Sequence, residues 1–112
     1  MAEIDEQKNV VAWCRMQGIT IIHIPNEGKR SYYAGRELVA AGLAKGFPDL
    51  LILEARGGFH GMAIEMKYGK NTLTEEQKYW LRLLKDKGWA VHVSYSYENA
   101  VDKITQYMQQ GD

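Results

Sequence analysis

The spacing of apolar residues changes period several times along the chain, and each change marks an element. Residues 4–17 carry Ile4, Val10, Val11 and Cys14, with Trp13 beside them, on one helical face, and Gly18 ends the run. The β-branched stretch "ITIIHI" that follows predicts a short strand, closed by Pro25. Residues 26–46 have weaker periodicity and begin as a loop, with a short helix predicted around residues 36–41. "DLLIL", at 49–53, holds four consecutive aliphatics, as in a strand buried on both faces. "EARGGFHG" is a turn and "MAIEMK" the next strand. Thr74 followed by Glu75, Glu76 and Gln77 fits a capping box, so a helix is predicted to about Lys87, where Gly88 stops it. "WAVHVSY" is a further strand. "SYENAVDKITQYM" is a final helix, with Ala100, Val101, Ile104 and Met108 on its apolar face.

The predicted order is α-β-(α)-β-β-α-β-α, an α/β fold with a mixed sheet flanked by helices. The turn near residues 53–62 is too short for a parallel crossover, so its two strands form an antiparallel hairpin. With 112 residues the chain is one domain, 1–112, able to bury a small core.

One strand breaks the apolar rule. In "MAIEMK", alternation sends Met62, Ile64 and Met66 to one face and Ala63, Glu65 and Lys67 to the other. A Glu-Lys pair two residues apart is ordinarily a solvated face. Here, apolar strands flank it, Ala63 leaves room beside it, and the hairpin brings Asp49 to the same place. Two carboxylates buried together are costly unless a cation neutralises them. Oxygen donors of this kind suit Mg²⁺ or Mn²⁺, and a lysine alongside can serve a water or a phosphate. This chemistry is metal-assisted phosphodiester hydrolysis. Gln77 falls on the core-facing stripe of its helix, with a capping role and a reach to the site both open to it.

Net charge is zero, fourteen basic residues against fourteen acidic, which excludes binding by bulk positive charge. The basic groups concentrate in residues 29–70, seven against four acidic. A single cysteine, Cys14, excludes an internal disulfide and fits a reducing cytoplasm. No segment approaches the length of a membrane helix, and the acidic start lacks a signal-peptide core. His23, His60 and His92 lie on separate elements and form no zinc site.

Pro48-Asp49, fifteen residues, then Glu65-Met66-Lys67 resembles the PD-(D/E)XK nuclease signature. Around it, "IPNEGKRS", "AGRELVAAGLAKGFPDLLIL", "RGGFHGMAIEMK" and "LTEEQKYWLRLLKDKGWAVHV" resemble, in that order, a stand-alone VRR-NUC domain (virus-type replication-repair nuclease) over nearly the whole chain. The resemblance implies a restriction-endonuclease-like fold. It implies Asp49 and Glu65 as metal ligands, joined by the Met66 carbonyl and by a first-helix glutamate, best matched by Glu6 with Glu3 as competitor. Lys67 would be the catalytic lysine, and Gln77 matches the glutamine in the helix after the E-x-K strand. Asn26, Lys29 and Arg30 in the glycine-containing loop, with Lys45 and Lys70, would grip the DNA backbone, although Glu27 stands where the family loop has a second glycine.

The expected protein is a Mg²⁺- or Mn²⁺-dependent, structure-specific DNA endonuclease of replication or repair, without an organic cofactor and from a phage or a cell. No base-reading module is present. Compact VRR-NUC proteins resemble Holliday-junction resolvases, so a homodimer is expected, because a four-way junction has two symmetric scissile strands. A flap- or nick-directed nuclease and a non-catalytic DNA-binding module are the alternatives.

Overall fold

The computed structural model describes residues 3–25 and 32–111, with side chains over 5–25 and 36–111. The elements run α1 (Glu3–Met16), β1 (Ile21–His23), α2 (Tyr32–Ala40), β2 (Leu50–Ile52), β3 (Met62–Met66), α3 (Glu75–Asp86), β4 (Ala90–Ser94) and α4 (Tyr97–Met108). This is the predicted α/β order, with the helix at 36–41 present and longer. It begins at Tyr32, where Gly35 in its interior weakens the local helical signal.

The four strands form one sheet in the order β1-β2-β3-β4. β1 and β2 are antiparallel, as are β2 and β3, whereas β3 and β4 are parallel. The mixed sheet follows from the connections. A tight turn joins β2 to β3, with Arg56 and Phe59 bridging, and only α3 is long enough to carry the chain back for a parallel pairing.

Side-chain alternation assigns the two faces separate tasks. Ile21, Leu50, Ile52, Met62, Ile64 and Met66 join Val10 and Cys14 of α1 and Ala100, Ile104 and Tyr107 of α4 in the core. The opposite face meets α3, whose apolar stripe buries Leu81. Burial pushes the Cys14 thiol up to about 11 and keeps it neutral. Tyr107 satisfies its hydroxyl by donating to the Glu54 carbonyl at 2.7 Å, which lets a tyrosine sit in the core.

Helix starts are capped as their sequences require. Thr74 Oγ1 accepts from Gln77 N at 3.1 Å, and Ser96 Oγ accepts from Asn99 N at the same distance. Gly18 and Gly88, both at positive φ, end α1 and α3. Among the described residues, no helix is long and apolar enough to cross a membrane.

Candidate active site

The site begins where the β2–β3 ladder stops. Leu50 pairs with Ile64, so one further step sets Asp49 opposite Glu65, and another sets Pro48 opposite Met66. Pro48 has no N–H to offer the Met66 carbonyl. The Met66 N–H is taken instead by the Asp49 side chain, donating to Oδ2 at 2.8 Å. Asp49 is thereby fixed by the backbone of the strand that carries Glu65. Asp49 is 8% exposed and Glu65 3%, so the two carboxylates are buried side by side.

Glu65 is held from α3. Gln77 Nε2 donates to Glu65 Oε2 at 3.4 Å, while Gln77 Oε1 accepts from Thr74 N at 2.8 Å. The two roles open to Gln77 in the sequence therefore coexist in one amide, whose oxygen closes the capping box and whose nitrogen reaches the site. Glu65 Oε1 is also buried, and among the described residues no hydrogen bond reaches that oxygen.

The first turn of α3 is pinned by the loop before β2. Trp80 Nε1 donates to Lys45 O at 3.0 Å, and the Phe47 and Trp80 rings meet edge-on at 5.5 Å. Gly46 lies so close that a Cβ there would come within 2.7 Å of Glu76 Cβ and 2.9 Å of Gln77 N. Phe47 and Asp49 are two residues apart, so this packing sets the spacing between Asp49 and Gln77.

Lys67 stands one residue beyond β3 and is half-buried, and its backbone N–H donates to Ser94 O at 2.8 Å. Ser94 was not among the expected site residues. It is fully buried, and its hydroxyl donates to Asn99 Oδ1 at 2.8 Å, which His92 Nε2 also approaches to 2.9 Å. This network anchors the end of β4 that holds Lys67. A lone serine in an apolar strand gave no sequence signal for it.

Glu6 sits on α1, and its Oε2 accepts from Tyr97 N at 3.2 Å, at the start of α4. Among the described residues, no three His, Cys, Asp or Glu side chains gather into a metal cluster. The side chain of Glu3, and all of Asn26, Lys29 and Arg30, lie outside the described residues. Lys45 is exposed and pairs with Glu76 at 3.7 Å, and Lys70 is exposed in the turn after β3.

A four-stranded mixed sheet with Asp49 at the head of its second strand and Glu65-x-Lys67 closing its third defines a PD-(D/E)XK-type nuclease domain. The family model described as "VRR-NUC domain" matches residues 2–98, and the chain belongs to that family. A solved structure titled "VRR_NUC domain protein" is similar over 100% of this chain and 92% of its own, at 29% identity and a TM-score of 0.87. No curated protein matches the sequence.

Proposed function

We propose that the protein is a Mg²⁺- or Mn²⁺-dependent, structure-specific DNA endonuclease that cuts branched DNA as a Holliday-junction resolvase does, working as a homodimer. One arrangement carries the reading: two buried carboxylates on paired strands, one fixed by Met66 N–H and the other by Gln77, beside a half-buried lysine. Two adjacent buried anions are costly, and an oxygen-rich donor set suits a hard divalent cation. Asp49 and Glu65 would hold it, with the Met66 carbonyl, for which Pro48 supplies no competing donor, and with Glu6 at the margin. Such a cation would neutralise the pair and supply a Lewis acid for the phosphodiester.

The chain's own groups do the positioning. Asp49 and Glu65 arrive prealigned, because the hydrogen bonds that fix them come from a strand backbone and a helix-capping amide. Lys67 places a cation where charge builds on the phosphoryl oxygens and hydrogen-bonds the attacking water. Lys45 and Lys70, with Asn26, Lys29 and Arg30, supply backbone grip. Leu38 and Val39 leave apolar area exposed on α2, which supports placing the dimer contact there.

Labelled four-way junctions, flaps, single strands and plain duplex, incubated with Mn²⁺ or with EDTA, test the reading. The expected outcome is Mn²⁺-dependent cutting of the junction that Lys67→Ala lowers by about 10²- to 10⁴-fold. Preferred cutting of flaps would move the substrate assignment to a flap-directed nuclease. Wild-type binding without cutting would make the protein a DNA-binding module. A strict monomer in light scattering would count against junction resolution.

A further inference from the structure

An open groove of about 360 Å³ lies between α1 and the β1 edge of the sheet, lined by Gln7, Lys8, Val11, Ala12, Arg15 and His23. Four of these residues, Lys8, Val11, Ala12 and Arg15, fall at i, i+3, i+4 and i+7 and form one stripe of α1. Lys8 and Arg15 are exposed at its two ends, and the small apolar pair forms the floor. Among the described residues, no carboxylate pairs with either cation. Two contacts tie the groove to the backbone that carries Asp49. Gln7 Nε2 sits 3.0 Å from His23 Nδ1, which in turn lies 3.1 Å from the backbone carbonyl of Asp49.

We propose that this groove is a track for the sugar-phosphate backbone of the DNA strand leading away from the site, with Lys8 and Arg15 as its phosphate contacts. The inference rests on the nuclease reading and adds to it a surface on the far face of the sheet from α3. Seven residues of helix separate the two cations by about 10 Å along the axis, close to the rise of about three base pairs. The charge was hidden in the sequence because residues 1–28 hold only two basic groups against four acidic ones. Those two are Lys8 and Arg15, and the helix brings both to one groove.

The test is the salt dependence of binding. Anisotropy of a labelled duplex, and of a single strand, is followed with Ca²⁺ in place of Mg²⁺ across about 50–200 mM salt. Each lost phosphate contact lowers the log–log slope by about 0.9 on duplex and about 0.7 on a single strand. The Lys8→Ala/Arg15→Ala variant is therefore expected to lose about 1.8 or about 1.4 of slope, which also tells which form the groove holds. Lys8→Arg/Arg15→Lys keeps the wild-type slope, and so does Lys85→Ala, an exposed cation on α3. A wild-type slope in the double alanine variant overturns the groove. So does an equal loss per charge removed in Lys85→Ala, because the effect would then be one of net charge. A wild-type protein that binds no DNA overturns the nuclease reading as well, and is distinguishable from both.

Discussion

The backbone N–H of Met66 donates to Asp49 Oδ2 at 2.8 Å, across two strands whose ladder has already ended. Asp49 therefore has a structural task as well as the proposed metal-binding one, and substitutions separate the two. Asp49→Asn keeps an oxygen for Met66 N–H and is expected to fold with near wild-type Tm while losing cleavage. Asp49→Ala leaves a buried donor unmet and is expected to lose about 1–3 kcal/mol of stability besides. Thermal unfolding and junction cleavage, measured on both variants, check the division. Cleavage surviving in Asp49→Asn would remove the residue from the site.

Gln77 divides along similar lines. Gln77→Glu retains an acceptor for Thr74 N, so the helix start persists, but it turns a carboxylate toward Glu65 in place of a donor. A roughly 10- to 100-fold fall in activity is expected with little change in folding. Thr74→Ala does the reverse, costing about 1 kcal/mol of stability with the Gln77–Glu65 contact intact. Equal cleavage by Gln77→Glu and wild type would leave Gln77 a cap and nothing more.

Cation binding is open to measurement without any substrate. An ion held only by the folded state at about 100 times its Kd adds about 2.7 kcal/mol, or roughly 10–20 °C in the Tm of a domain this size. Mn²⁺ is expected to give such a shift in the wild type, EDTA to remove it, and Asp49→Asn to abolish it. A wild-type melt indifferent to Mn²⁺ and Mg²⁺ would argue against the carboxylate pair as a metal site.

Gly46→Ala tests whether the loop sets the position of α3. Its φ of +85° disfavours a side chain, and the added Cβ meets the backbone around Glu76 and Gln77. A loss above about 1 kcal/mol is expected, with cleavage falling further than the stability loss explains at temperatures where the variant is folded. A variant as active and as stable as wild type would free α3 from this contact.

The hairpin was legible because its turn is too short for any alternative, and an antiparallel pairing then forces Asp49 toward Glu65. The capping box was legible because its chemistry is local. Three features were not. The Glu6–Tyr97 contact joins residues 91 apart in sequence, which no periodicity encodes. Ser94 and Asn99 matter only once β4 and α4 are side by side. The extent of α2 was hidden by Gly35, whose low helix propensity obscures a start at Tyr32.

Met66 belongs to both sides of the wall. Its side chain, 3% exposed, is wedged into the α1–α4 core, while its N–H carries Asp49 on the other side. Close-packed interiors are stiff, so that single peptide unit works as a lever arm between them. A change of volume around Met66 is felt as a displacement of Asp49, and a pull on Asp49 is resisted by the whole core. Packing and chemistry in this protein share one mechanical coupling, and its length is one residue.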